Sequence, residues 1–334
     1  MVRSYAVKLP GSLYVYINPF LKHFLSSYLY SMYYVVYGFL YILSLLPFSI
    51  LYIISDILYI FLYYGLRYRK DIVTHNLLIA FPEKTPEQRT AIAKQFYKNL
   101  IDNFSETLKM LSLEKEQFLK RCDGNFEMLN SIIEKGKSIH FMGAHQFNWE
   151  YGNWLVPLKI NLPVAVVFMP IKNKILNKIF IRIRGRFGAV MVDATNYSKD
   201  IKKVARRQHV LALVADQNPG GPGNAYWLNF FNRPAPFLAG PEKGAVRSNN
   251  AVIFTRYVRL KRGHYYFENH LITYDAAEYK PGELTRKFRD FIQDGINREP
   301  SGFLWSHRRW KHEYKNEYSR LWIDYEKNSF NKNK

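Results

Sequence analysis

Apolar positions follow three patterns along the chain. From Phe24 to Leu66 they are nearly continuous, and Asp56 is the one formally charged residue. Residues 24–46 are long enough to cross a hydrocarbon core of about 30 Å as a helix. Pro47 breaks or kinks that helix. Residues 48–66 carry Asp56 and either lie at the interface or pair with the first part as a hairpin. Abundant tyrosine suits a membrane boundary, and a helical hairpin buried in a soluble core is the competing reading. The stretch is too long for a cleaved signal peptide and no small-x-small site follows it. Arg67, Arg69 and Lys70 come next, which places the following residues on the cytoplasmic side.

The second pattern has a helical period. Thr85, Pro86 and Gln88 read as an N-cap, a first-turn proline and a capping-box partner. Behind them Ile92, Phe96, Leu100, Phe104 and Leu108 recur every four residues, predicting an amphipathic helix to about Leu111. The third pattern alternates. Short apolar runs at 138–143, 163–169, 188–192, 210–215, 250–258 and 264–273 predict strands, and helices are expected at 126–135, 146–156, 172–185, 197–207, 239–248 and 283–298. This is an α/β pattern: a mixed, mostly parallel sheet flanked by helices. The division is an anchor at 1–66, a cytoplasmic catalytic body at 67–326 and a disordered tail at 327–334.

Charge changes the picture. Lys and Arg outnumber Asp and Glu by 48 to 27 in 334 residues, a net charge of +21. Such a balance calls for an anionic partner: nucleic acid, acidic protein, anionic lipid or phosphorylated substrate. Eleven of the cations lie between Lys172 and Arg207, against two acids, Asp193 and Asp200. Arg184 and Arg186, beside Gly185 and Gly188, suit bidentate phosphate contact, although a solvated basic face is the plainer reading of most of these charges. Cys122, the single cysteine, excludes an intramolecular disulfide and fits a reducing compartment.

A histidine stands five positions before an acid three times: His145 with Glu150, His270 with Asp275, and His312 with Glu317. In open α/β sheets ligands bind beyond the carboxyl ends of the strands, and His145 alone follows a predicted strand at a strand-to-helix junction. His270 lies within a strand, so Asp275 would be roughly 17 Å away along it. Five residues of continuous helix turn the chain by about 140°. His145 is therefore expected in the turn ahead of the helix, with Glu150 reaching back to hold one imidazole nitrogen while the other takes a proton. A capping histidine beside a solvent-facing glutamate remains the alternative. No G-x-S-x-G nucleophile is present, so the substrate must supply the hydroxyl. Asp216 and Gln217 end a strand and open a glycine-rich loop, which either organises the site or is plain turn chemistry. That loop lacks the Gly-Lys-Ser/Thr of a P-loop. Neither a metal constellation nor a cofactor motif stands out.

"GAHQFNWEYG" (143–152) resembles the His-x4-Glu block of the late lipid A biosynthesis acyltransferases of Gram-negative bacteria. Residues 75–106 are similar to the segment after that family's anchor, and "IRIRGRFGA" (181–189) to its arginine block. Residues 214–245 resemble its Asp-Gln loop, and "GFLWSHRRWKH" (302–312) its C-terminal signature. The resemblance implies a glycerolipid-acyltransferase-like fold that moves a fatty acyl chain from acyl carrier protein to a hydroxyl of a lipid A precursor. It further implies a place at the cell inner membrane, with the catalytic body on the cytoplasmic side. His145 and Glu150 match the catalytic pair, while Arg184, Arg186, Asp216, Gln217 and Arg309 fall in blocks implied to bind substrate. Gln146, Asn148 and Trp149 are bulkier than the residues between the pair in some relatives, which leaves acyl chain and acceptor position open.

Other acceptors fit the same dyad: a lysophospholipid, an aminolipid or a glycolipid. The Glu-Gly-Thr-Arg block of lysophosphatidate-type enzymes does not occur. A nucleic-acid-binding protein would explain the charge, but no recognition motif appears. A non-catalytic membrane scaffold would have no use for the dyad.

Overall fold

The computed structural model describes residues 5–8, 14–17 and 19–324, with side chains from Tyr30 onward. The expected tail at 327–334 lies outside the described residues. At the N-terminus β1 (Tyr5–Lys8) and β2 (Tyr14–Ile17) form an antiparallel ribbon. Helix α1 (Pro19–Leu45) follows, and Pro47 separates it from α2 (Phe48–Ile60), which runs on through a π-helical turn to Gly65. Among the described residues, the one helix long and apolar enough to cross a membrane is Phe48–Gly65, with a mean hydropathy of 1.6 and 22% of it buried. That is the second part of the apolar run; of the first, the side chains before Tyr30 lie outside the described residues.

This helix lies along the body of the protein. The capping box reads out as expected at the start of α4 (Pro86–Lys109), after α3 (Lys70–Ala80): Thr85 accepts from the Gln88 N–H at 3.3 Å and Gln88 accepts from the Thr85 N–H at 2.9 Å. Helix α2 docks on α4 through Ser55–Ser105 at 2.7 Å and Tyr52–Glu106 at 3.0 Å. Asp56, the lone charge of the apolar run, meets Arg262 at 2.8 Å, which also binds the buried Asp102 at 2.6 Å. A paired charge can persist on an otherwise apolar helix where a lone one would be too costly. The opposite face stays apolar and exposed: Val35, Phe39 and Ile42 on α1, then Ile53, Ile57 and Phe61.

After α5 (Lys115–Leu119) the chain builds the sheet. Its strands are β3 (Cys122–Gly124), β4 (Ile139–Gly143), β5 (Val164–Phe168), β6 (Val190–Asp193), β7 (Val210–Val214), β10 (Ala251–Lys261) and β11 (His264–Thr273). Their spatial order is β3-β11-β10-β4-β7-β5-β6, and every neighbouring pair is parallel except the β10–β11 hairpin. The mixed, mostly parallel sheet predicted from alternation is therefore present. Between β7 and β10 a ribbon that the apolar pattern does not announce, β8 (Ala225–Phe230) with β9 (Arg233–Leu238), packs Phe230 and Phe237 onto the core.

Both faces are covered, as buried parallel strands require. On one, α6 (Glu127–Glu134), α7 (Gly152–Lys159) and α8 (Lys174–Arg184) bring Leu129, Trp154 and Ile183 against Phe141 and Ile253. On the other, α3, α4, α10 (Gly240–Arg247) and α11 (Glu283–Arg298) bring Leu77, Leu100, Ala245 and Phe288 against Met142 and Phe254. Two helices differ from expectation. The stretch 197–207 shortens to α9 (Tyr197–Asp200) and a 3-10 turn, having few apolar residues to bury. The helix expected from 146 begins only with a 3-10 turn at Trp149, because Phe147 adopts φ +42°, a left-handed conformation incompatible with helix.

Candidate active site

The site stands at the carboxyl ends of two adjacent parallel strands. Gly143 of β4 pairs in register with Val214 of β7, and the Ala215 N–H donates to the Gly143 carbonyl at 3.1 Å. Two residues beyond each partner, His145 and Asp216 meet, with Nδ1 and Oδ1 2.6 Å apart. Asp216 is 2% exposed. Burial pushes its carboxyl up, but the facing His145 and its hydrogen bonds outweigh this and hold it below the usual carboxylate range. On the other ring nitrogen, Nε2, Gln217 places its amide nitrogen at 3.3 Å. An amide nitrogen only donates and a carboxylate only accepts. The pair therefore fixes one tautomer, with the proton on Nδ1 and a lone pair on Nε2.

Glu150 does not hold the imidazole, and the sequence expectation is corrected here. The left-handed turn at Phe147 carries the chain away before Glu150 is reached, and the Phe147 N–H is taken by the Gly302 carbonyl at 2.8 Å. Glu150 is buried and accepts from Arg184 twice, at 2.8 Å from Nε and 2.5 Å from a terminal nitrogen. Asn153 and Trp149 add donors at 2.9 and 3.2 Å. Burial alone would lower the Arg184 guanidinium, yet Glu150 holds it above its ordinary value. Arg184, expected on a phosphate, thus ties the end of α8 to the start of α7. Arg186 also has protein partners: it donates to the Met110 and Leu111 carbonyls at 3.2 and 3.3 Å, closing the end of α4.

Arg309, expected to bind substrate, is set among protein groups. It is 1% exposed, lies over the Phe237 ring at 4.2 Å and donates to Asn218 Oδ1 at 2.9 Å, so it braces the turn after Asp216 from behind. Burial brings its guanidinium down to about 10, partly offset by Asp216. His307, in the same C-terminal block, accepts from the Asn218 N–H at 3.3 Å, and burial lowers it to about 4. Of the other two histidine pairs, His270 and Asp275 come apart: His270 packs on Phe291 and Asp275 binds Lys137.

Sequence reasoning gave no role to Trp149, whose ring stands edge-on to His145 at 5.0 Å, nor to Glu106. That carboxyl is fully buried among Asn148 (2.7 Å), Tyr265 (2.9 Å) and Tyr52 (3.0 Å), and burial pushes it up to about 7 despite these donors. Glu106 lies about 200° around the helix from Phe104 of the predicted stripe, so the sequence pattern carried no signal for its burial. From Gln217 and Trp149 a groove of about 490 Å³ runs between Leu62 at the end of the apolar hairpin and Leu100, Ile101 and Phe104 of α4. The arrangement holds an imidazole between a carboxylate and an amide, beside residues that line a partly apolar groove.

The chain is 21% identical over 257 residues to a lipid A biosynthesis palmitoleoyltransferase of Escherichia coli (strain K12), covering 74% of this chain and 80% of that one. It is 22% identical over 289 residues to a lipid A biosynthesis acyltransferase of Haemophilus influenzae, covering 85% and 89%. The profile of the bacterial lipid A biosynthesis acyltransferases matches residues 18–312, and the chain belongs to that family of acyltransferase enzymes.

Proposed function

We propose that the protein transfers a fatty acyl chain from the thioester of an acyl carrier protein to a hydroxyl of a lipid A precursor, with His145 as general base. The observation that carries this reading is the His145–Asp216 pair, whose imidazole neighbours Gln217 and Trp149 line the apolar groove. A hydroxyl is a poor nucleophile near neutral pH. Its proton passes to Nε2 as its oxygen attacks the thioester carbonyl. Asp216 keeps the imidazole in the right tautomer and stabilises the imidazolium. The tetrahedral intermediate then expels the thiolate, which recovers the proton from Nε2. The groove takes an acyl chain along Leu62, Leu100, Ile101, Phe104 and Leu304, while Arg69, Gln217, Ser306 and His307 make its polar part. Arg184 and Glu150 act as positioning residues.

The exposed apolar face of α1 and α2 supports a place at the membrane surface. Because α2 is docked on α4 and its Asp56 is paired with Arg262 of the body, we read the hairpin as lying in the interface with its outer face among lipid tails. The body then lies on the cytoplasmic side of the inner membrane, where acyl carrier protein can reach it, and its basic surface suits both that acidic carrier and an anionic bilayer.

Purified protein is incubated with acyl carrier protein or coenzyme A thioesters and with a lipid A precursor, a lysophospholipid or a glycolipid, and products are read by mass spectrometry. Ester formation on the lipid A precursor from the carrier protein, lost in His145→Ala, is expected. Exclusive acylation of another lipid redirects the acceptor, and full activity of a folded His145→Ala protein removes the mechanism.

A further inference from the structure

We propose that the cleft between α1 and α8 is a seat for the headgroup of an anionic phospholipid, separate from the catalytic site. The inference rests on the interfacial reading of the hairpin. Helix α8 carries Lys174, Lys178 and Arg182 at four-residue spacing, which lines them along one side. Opposite them α1 presents Tyr33, Tyr37 and Tyr41, whose rings stack in sequence with centres 5.8 and 6.1 Å apart. The Lys178 ammonium stands 4.0 Å from the Tyr33 ring centre and the Arg182 guanidinium 5.0 Å from that of Tyr37. A cleft of about 670 Å³ opens between Tyr37, Tyr41, Arg182 and Arg186.

Three features select the occupant. Among the described residues neither Lys178 nor Arg182 forms an ion pair with a carboxylate, whereas Arg184 and Arg186, on either side of Arg182, are engaged by protein groups. The tyrosines fix where the two cations stand, and Tyr37 and Tyr41, which line the cleft, supply hydroxyls that donate to phosphate oxygens. The same helix α1 exposes Val35, Phe39 and Ile42 outward, so a molecule with its phosphate in the cleft can lay its tails along that face. A phosphodiester joined to acyl chains satisfies all three, whereas an acidic protein surface, whose carboxylates accept from the same cations and hydroxyls, leaves the exposed apolar face unused.

Full-length protein in mild detergent is equilibrated with equal amounts of phosphatidylglycerol and phosphatidylcholine of matched chains, and retained lipid is counted by native mass spectrometry. The wild type is expected to keep phosphatidylglycerol in about tenfold excess, as two charge contacts of this kind permit. Lys178→Gln/Arg182→Gln should bring the ratio near one, while Lys199→Gln/Lys202→Gln on the same basic segment should not. Equal retention by the wild type, or an unchanged ratio in the first double variant at undiminished thermal stability, overturns the headgroup seat. Flotation with neutral vesicles separates this result from the interfacial reading. Both proteins should float, and failure of both overturns the interfacial reading.

Discussion

His145 and Asp216 face each other because each stands two residues beyond a register pair, Gly143 and Val214, on neighbouring parallel strands. The contact spans 71 residues of sequence, yet its geometry is set by the hydrogen bonds of one sheet. Parallel strands hold their ends in fixed register, so the imidazole and its carboxylate are oriented before any substrate arrives.

Removing the carboxylate should therefore behave like removing the base. Asp216→Asn keeps size and loses charge, and kcat should fall about 10²- to 10⁴-fold, as general-base loss does. His145→Ala/Asp216→Ala should be little worse than His145→Ala, because Asp216 acts only through the ring. Steady-state kinetics of the three proteins decide this, and fully multiplicative losses would separate the two residues.

Glu150 and Arg184 should form a second, independent unit. Leaving either charge buried without its partner is expected to cost about 3–5 kcal/mol of stability, so Glu150→Gln and Arg184→Gln should each lower the melting temperature of the detergent-solubilised protein. The double variant should recover part of the loss. Activity should track the folded fraction and the ordering of the site loop, with the pH profile of the remaining turnover unchanged. A displaced profile in folded Glu150→Gln would instead place Glu150 on the imidazole.

Glu106 gives the fold a pH dependence of defined sign. Its folded value is raised from 4.5 to about 7, so the native state holds a proton that the unfolded chain has already lost. Stability from this group is complete below about 4.5 and disappears as pH rises through about 7. Melting temperature measured from pH 5 to 8 should fall in the wild type, and Glu106→Gln should flatten that part of the curve. An identical slope in both proteins would mean that Glu106 is ionised throughout.

Gly143 has no room for a side chain. A Cβ there would come within 2.5 Å of the Tyr257 hydroxyl and 2.9 Å of Thr255 Cγ2. Gly143→Ala should cost about 1–3 kcal/mol by overpacking and reduce turnover by displacing the strand end that carries His145. Adding Tyr257→Phe should restore part of both. Thermal unfolding and activity of the single and double variants test this.

The sequence by itself determined the elements and one half of the site. Alternation and helical spacing located the capped helix α4 and every strand of the large sheet except β3, since strand or helix is decided by which neighbours within a few residues share a face. His145 was distinguished from the two chance matches by following an apolar strand, and five ordered blocks pointed to the family. The partner of His145 was decided by tertiary structure. Asp216 bears the same two-residue relation to the end of β7 as His145 does to β4, but nothing local says that β7 inserts beside β4 rather than joining the sheet in chain order. Glu150 was near in sequence, yet one left-handed residue, Phe147, held by Gly302 from the far end of the chain, turned it toward Arg184. The same holds for Asp56, a charge out of place in an apolar run until Arg262 arrives from the β10–β11 turn. Local periodicity reports which face of an element is buried. Which charges meet is settled by strand order and by backbone turns that only the assembled sheet imposes.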